Sequence, residues 1–499
     1  MSEQHRTTMI FAGAGVLIAA TAFAYWAAQP ASTPPAPPTP PTPPPTTSTP
    51  IPPTPSFSPV GQFAAGTPVK LSGRLNNPYL LKGVGEGEVS LLVNVDAAKA
   101  ETQHTASLDL AVVIDCSSSM AGQKMVDARI AAQDLVMRLR DGDRVAVIAY
   151  SSSARVEVPM TTIRGDNKAT VQRRIGELGP EGATNISGAL ELARQTLEQG
   201  GAQSDDRVRR ILLLSDGRAT AGDTRPERLQ ELAHESRSRG VTVSTLGLGE
   251  DYNELVMTGL ANKGGGNYHF ISDSSQLAAA FTREFATLQN AVSRNTMVTI
   301  KLAPGVRLGA LYGFEFNQAA DGSISVPLGE FWSGRNASML LRLSVDRANV
   351  RQQQLASVGL TYRDLAARLP RSHAGRVSVA VVEDGGLVEE NADGEVAVRY
   401  EQFLNIAAQD EAMRRYEAGD VGGARSVLNK RKADLSERVE QLKGSGLLGE
   451  ERARSFDKDI RQAEEAEEAM DNFDAKSSEG KNFLKRNRET NWSKGRSVY

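Results

Sequence analysis

Between residues 108 and 290 short apolar runs alternate with helical periods. Leu108–Ile114 (LDLAVVI), Val145–Ala149, Ile211–Leu214 and Val241–Leu248 have the near-continuous apolar or β-branched character of strands buried on both faces. Between them Ala128, Ala132, Leu135 and Leu139 fall on one helical stripe, and Ile186, Leu190, Ala193 and Leu197 fall on another. This alternation predicts an α/β fold, a doubly wound mostly parallel sheet covered on both faces, with Arg155–Pro159 as a short antiparallel edge strand. Ligands of such sheets bind beyond the carboxyl ends of the strands, so chemistry is expected there.

The flanks carry other patterns. Glu88–Val95 before this unit, and Thr296–Leu302, Ser338–Val345 and Arg376–Val382 after it, read as short strands between turns. They predict a flanking antiparallel β-sandwich over 291–390, with 61–107 as a β-rich segment that pairs into it, so that the α/β unit of 108–290 is inserted into the sandwich or packed beside it. From Gly394 onward strand signals stop. Val396–Tyr416, Val421–Leu442 and Glu450–Asp474 read as three helices of a C-terminal helical region over 391–478, followed by a basic tail at 479–499. The third helix is net acidic and the tail net basic, which favours docking of the tail within the chain or on a partner.

Residues 1–60 follow neither pattern. Met9–Ala28 is uncharged and, at about 20 residues, long enough to cross a bilayer as a helix. Tyr25 and Trp26 stand at its far end, where amphipathic rings favour the interface. Arg6 precedes the run and no Lys or Arg follows it until Lys70, so 1–29 reads as an anchor that leaves the bulk of the chain exported, in the periplasm or at the cell surface. The alternative is a signal segment cleaved near Ala22-Phe23-Ala24, which gives a secreted protein. Fifteen of the 23 prolines lie between Pro30 and Pro59. That stretch, 30–60, has almost nothing apolar to bury and is expected to be a disordered, Pro-rich stalk, extended at about 3.1 Å per residue to a reach of roughly 90 Å.

Composition narrows the chemistry. Hydrophobic content of 40% and charged content of 23% suffice for several cores, and a net charge of -3 offers no global attraction for nucleic acid, so none is expected as a partner. A single cysteine, Cys116, excludes an intramolecular disulfide and a multi-thiolate zinc site, and the five histidines include no pair at metal-ligand spacing. A metal site here has to be built from oxygen.

Three segments place oxygen donors at strand ends: Asp115-Cys116-Ser117-Ser118-Ser119-Met120, Gly182-Ala183-Thr184-Asn185-Ile186, and Ser215-Asp216-Gly217. Asp115, Ser117, Ser119, Thr184 and Asp216 supply two carboxylates and three hydroxyls, a set that suits a hard divalent cation. Helix capping and turn formation are the structural alternative for the same five residues. Cys116 occupies an unconstrained position and is expected to point into the core; the alternative, a nucleophilic thiol, has no histidine placed by sequence to activate it.

At these residues the chain resembles the von Willebrand factor A domain family, over 108–290. DCSSSM resembles its D-x-S-x-S motif, GATNI its threonine loop and SDG its second aspartate, which together form a metal-ion-dependent adhesion site. Ser118 and Ala183 depart from the family, which often has glycine there, but neither departure removes an oxygen. The resemblance implies direct metal ligation by Ser117, Ser119 and Thr184, and ligation by Asp115 and Asp216 directly or through water. It implies Mg2+, with Mn2+ or Ca2+ as alternatives, and a protein ligand presenting an Asp or Glu. The expected function is a membrane-tethered, extracytoplasmic adhesion or scaffold module without enzymatic activity. Alternatives are an assembly component working with an AAA+ ATPase and, in last place, a metal-dependent hydrolase, for which the motif supplies no general base.

Overall fold

The computed structural model describes residues 61–99, 106–199, 207–347 and 352–496. The expected anchor and stalk at 1–60 lie outside the described residues. Among the described residues no helix is long and apolar enough to cross a membrane.

The α/β unit is built on a six-stranded sheet in the order Gly265–Ile271, Val241–Leu248, Arg207–Ser215, Ser107–Asp115, Arg144–Tyr150, Ala154–Thr162. Five strands run parallel, and the edge strand Ala154–Thr162 pairs antiparallel with Arg144–Tyr150. Side chains of a strand alternate between faces, and the central strand shows why its run had to be apolar throughout. Leu110, Val112 and Ile114 pack with residues of helices Gln123–Arg138 and Leu277–Gln289. Ala111 and Val113 face the opposite core, with Leu190 of helix Ile186–Gln199, Leu232 of helix Pro226–Ser238 and Leu260 of helix Glu254–Gly264.

The sandwich draws on both sides of this unit. One sheet has the order Gln62–Ala65, Val69–Leu75, Glu86–Ala97, Asn336–Asp346, Val306–Tyr312; the other has Asn317–Gln318, Ile324–Trp332, Ala291–Leu302, Gln352–Asp364, Leu369–Val382, Tyr79–Leu81. Leu91 stands between Leu75 and Leu341, so the segment before the α/β unit is hydrogen-bonded to a strand far beyond it. The α/β unit is therefore inserted into the sandwich. Leu91, Val93, Leu341 and Leu343 meet Val298, Ile300, Val358 and Leu360 of the second sheet in one core.

Four helices close the described chain: Gly394–Glu417, Val421–Gly444, Glu450–Asn472 and Ser478–Arg496. Asp393 caps the first through the amides of Glu395 and Val396, and Asp420 caps the second through Gly423. The last helix occupies the stretch read from sequence as a basic tail, and it docks within the chain. Lys485 Nζ lies 3.5 Å from the centre of the Tyr252 ring and donates to Glu250 O at 2.9 Å, while Arg488 pairs with Glu254 at 3.0 Å. Burial pulls the Lys485 ammonium down to about 8, against the opposing pull of Glu254 and Asp251. Lys494 reaches Asp459 at 2.9 Å, so the basic segment also meets the acidic helix.

One buried ion cluster ties the α/β unit to the sandwich. Arg210, on the strand Arg207–Ser215, pairs with Glu284 of helix Leu277–Gln289 and with Glu330 of sandwich strand Ile324–Trp332. Ser244 Oγ lies 2.6 Å from both Arg210 and Glu284, and Asn267 and His269 complete the shell of Glu284 at 2.8 and 3.1 Å. Burial alone would raise the Glu284 carboxyl, yet Arg210, His269 and Ser244 bring it down to about 2.

Removing the cation takes from two buried carboxylates the guanidinium they share, so Arg210→Ala is expected to cost about 3 to 5 kcal/mol in urea unfolding; a loss within 1 kcal/mol of zero, about the worth of a surface pair, would contradict the account. Because the folded Glu284 value is depressed, its stabilisation is fully present above the ordinary value of 4.5 and is lost as pH falls through about 2. Glu284→Gln is therefore expected to flatten the acid limb of the stability profile in that window.

Candidate functional site

The apolar strand Ser107–Asp115 ends on a carboxylate because the chain there leaves the sheet for the loop above it. Asp115 is fully buried and held from three sides. Its Oδ1 accepts from the Ser117 amide at 2.8 Å, its Oδ2 accepts from Ser215 Oγ at 2.9 Å, and the Tyr150 hydroxyl lies 3.2 Å from Oδ2. From Ser117 a chain of oxygens leads across the sheet. Ser117 Oγ is 3.0 Å from Ser119 Oγ, Ser119 Oγ donates to Asp216 Oδ1 at 2.7 Å, and Asp216 Oδ2 accepts from Lys124 Nζ at 2.7 Å.

Thr184 comes from the loop before helix Ile186–Gln199. Its amide donates to Thr220 Oγ1 at 3.0 Å and its carbonyl accepts from the Thr220 amide at 2.9 Å, so the threonine loop is stitched to the loop that follows Asp216. Gly217 marks where the loops meet: a Cβ there would stand 3.5 Å from Ser119 Oγ and 3.7 Å from Thr184 Oγ1. The structure thus brings all five sequence-predicted residues to one end of the sheet, with Ser119 and Thr184 both beside Gly217.

The electrostatics of these residues follow from burial and neighbouring charge. Burial raises the Asp115 carboxyl, hydrogen bonds from Ser117 and Ser215 oppose the rise, and the charge of Asp216 adds to it. Two buried carboxylates stand with three hydroxyls, and Lys124 pairs with one of them, Asp216, at 2.7 Å. Hard divalent ions prefer this all-oxygen donor chemistry, so the residues present fit such an ion. Among the described residues no group of three or more His, Cys, Asp or Glu side chains is placed to hold a metal.

Cys116 points away, as expected. It is buried in the apolar core beside Met120, its amide donates to Tyr150 O at 2.7 Å, and burial pushes its thiol up to about 12. Sequence reasoning did not single out Tyr150, Thr220 or Lys124. Tyr150 could have been found from register, since it ends the neighbouring strand directly beside Asp115. Lys124 carries no sequence signal; only the turn into helix Gln123–Arg138 brings its amine over Asp216.

Comparison with known proteins agrees with this architecture. Residues 109–283 match the family profile of the von Willebrand factor type A domain. An uncharacterized protein of Synechocystis is 28% identical over 308 residues, covering 60% of this chain and 72% of that protein. The uncharacterized protein YfbK of Escherichia coli is 28% identical over 267 residues, 52% of this chain but under half of that protein, 46%. Inter-alpha-trypsin inhibitor heavy chain H4 of Homo sapiens is 29% identical over 181 residues, 35% of this chain and 20% of that protein. Among solved structures, a von Willebrand factor type A protein from Catenulispora acidiphila has a TM-score of 0.63 at 21% identity, covering 77% of this chain and 89% of that one. The ArnB paralog VWA2 from Sulfolobus acidocaldarius has a TM-score of 0.55 at 19% identity, covering 86% and 100%. At these identities the structural likeness speaks for the fold, and the expected α/β unit with flanking strands and C-terminal helices is borne out.

The buried, protonated thiol carries a direct expectation. Cys116 should stay unreactive toward an aromatic disulfide reagent at pH 8 in the native protein and react fully after denaturation; rapid native modification would show the thiol to be exposed or activated.

Proposed function

We propose that the von Willebrand factor type A domain formed by residues 109–283 works as a protein-binding module, capturing a partner's Asp or Glu at a metal-ion-dependent adhesion site. The observation that carries this reading is the meeting of Ser119, Thr184 and Asp216 at Gly217, with Asp115 linked to them through Ser117. Ser117, Ser119 and Thr184 would hold the ion directly, and Asp115 and Asp216 directly or through water. A bound Mg2+, or Mn2+ or Ca2+, would supply an open coordination position for an external carboxylate.

The chain's own charges support capture over mere storage. Asp115 and Asp216 bring two negative charges and Lys124 returns one positive charge, so the site under-neutralises a divalent ion and keeps a net attraction for a further carboxylate. Tyr150 and Ser215 fix the Asp115 carboxylate, which in turn fixes the Ser117 loop, so the donors need little reordering to bind. None of the five donors is a histidine or a free glutamate able to move a proton, which favours binding over turnover. The apolar run at 9–28 and the Pro-rich run at 30–59 support a reading in which the module is tethered to a membrane and displayed outside the cytoplasm.

Titration calorimetry with Mg2+, Mn2+ and Ca2+ tests the site itself. Thr184→Ala and Asp216→Ala are expected to weaken binding by about tenfold or more, roughly 1.4 kcal/mol, with far-ultraviolet circular dichroism unchanged; equal affinity in the variants sinks the assignment. Capture of the partner should vanish with chelator and return with Mg2+. Protease treatment of intact cells should degrade the domain if it is displayed outside, and leave it whole if it faces the cytoplasm.

A further inference from the structure

Lys124 is the second residue of helix Gln123–Arg138, in the turn that follows Gly122. A cation is unfavourable there, because the unbonded amides of a helix's first turn carry partial positive charge, and this turn holds no acidic side chain to offset it. The helix itself gives no reason for the ammonium. Its compensation comes from another segment, at Asp216, whose Oδ2 accepts from Lys124 Nζ at 2.7 Å. Among the described residues Lys124 pairs with no other acid.

The two partners differ in exposure. The Asp216 side chain is 0% exposed and that of Lys124 is 36% exposed. A carboxylate cut off from water depends on its immediate neighbours. Among the described residues two side chains donate to Asp216, Ser119 Oγ on Oδ1 at 2.7 Å and Lys124 Nζ on Oδ2, and of these only Lys124 carries charge. Both carboxylate oxygens are thus engaged, one of them by a cation.

We propose that Lys124 is a built-in competitor of the divalent ion: its ammonium compensates Asp216 in the ion-free protein and sets the ion concentration at which the site loads. This rests on the adhesion-site reading and deepens it. An ion that takes Oδ2 directly has to break the pair with Lys124; an ion that reaches Asp216 through water settles beside a like charge. Both routes lower affinity, because charges in close contact interact strongly where water is scarce. The same ammonium offsets the repulsion between Asp115 and Asp216, so it stabilises the ion-free fold and opposes the ion-bound form.

The test uses the full chain, with Mg2+ and Mn2+ as probes. Lys124→Met keeps an unbranched side chain and removes the charge, whereas Lys124→Arg keeps the charge. In titration calorimetry Lys124→Met is expected to bind both ions about tenfold or more tighter than the parent, and Lys124→Arg within about threefold of it. In chelator Lys124→Met should melt below the parent, because a buried carboxylate loses its counter-charge, and the gap should narrow at saturating Mg2+, where tighter ion binding adds stability. Thr184→Ala separates this proposal from the reading it rests on. Ion binding by the parent that Thr184→Ala weakens, together with equal or weaker binding by Lys124→Met, overturns the competitor role and leaves the adhesion site standing. Ion binding by neither the parent nor Lys124→Met overturns both. Binding by Lys124→Arg as tight as that of Lys124→Met, or a melting temperature of Lys124→Met in chelator at or above the parent's, overturns the competitor role as well.

Discussion

Asp115 and Asp216 sit at the ends of neighbouring parallel strands, and both are buried. Like charges at the end of one sheet repel in a medium that screens poorly, so everything around them is arranged to offset that repulsion. Ser117 and Ser215 donate to Asp115, Ser119 and Lys124 donate to Asp216, and the threonine loop is tied to the same place through Thr220. The site is therefore a consequence of the sheet: two apolar strands must lie side by side to form the core, and their acidic ends then have to be compensated.

Rigidity at that end comes from the rest of the molecule. The sheet buries alternate residues of each central strand in two separate cores, which leaves the strand ends little freedom. Below it, Arg210 couples the sheet to helix Leu277–Gln289 and to the sandwich through Glu284 and Glu330. The insertion topology adds a covalent reason, since the chain enters and leaves the α/β unit from strands of the same sandwich. Motion of the unit relative to the sandwich would have to break the buried ion cluster.

The helix Ser478–Arg496 bears on another loop at the same end of the sheet. Glu250, Tyr252 and Glu254 follow the strand Val241–Leu248 at its carboxyl end, and they receive Lys485 and Arg488. A Cβ on their neighbour Gly249 would stand 3.8 Å from Lys124 Nζ. A charged helix that is mostly polar by composition is held in place by this acidic loop and by burial of Leu484, more than by a broad apolar face.

Periodicity and residue type were enough to read the alternating unit, because a doubly covered parallel strand has to be apolar on both faces and its helices on one. They were also enough to nominate Asp115, Ser117, Ser119, Thr184 and Asp216, since chemistry in such folds gathers at strand ends and these oxygens stand there in the sequence. Other features depended on distance in the chain. That Leu91 pairs with Leu341, that Lys124 covers Asp216, and that Arg210 finds Glu284 and Glu330 are facts of packing between segments that no local pattern links. The same holds for residues 478–496: net charge favours docking of this basic stretch, but only packing names the surface, an acidic loop some 230 residues earlier. Local sequence sets which face of an element must be hidden; only the assembled molecule decides which charges meet, because Coulomb energy depends on separation in space and not along the chain.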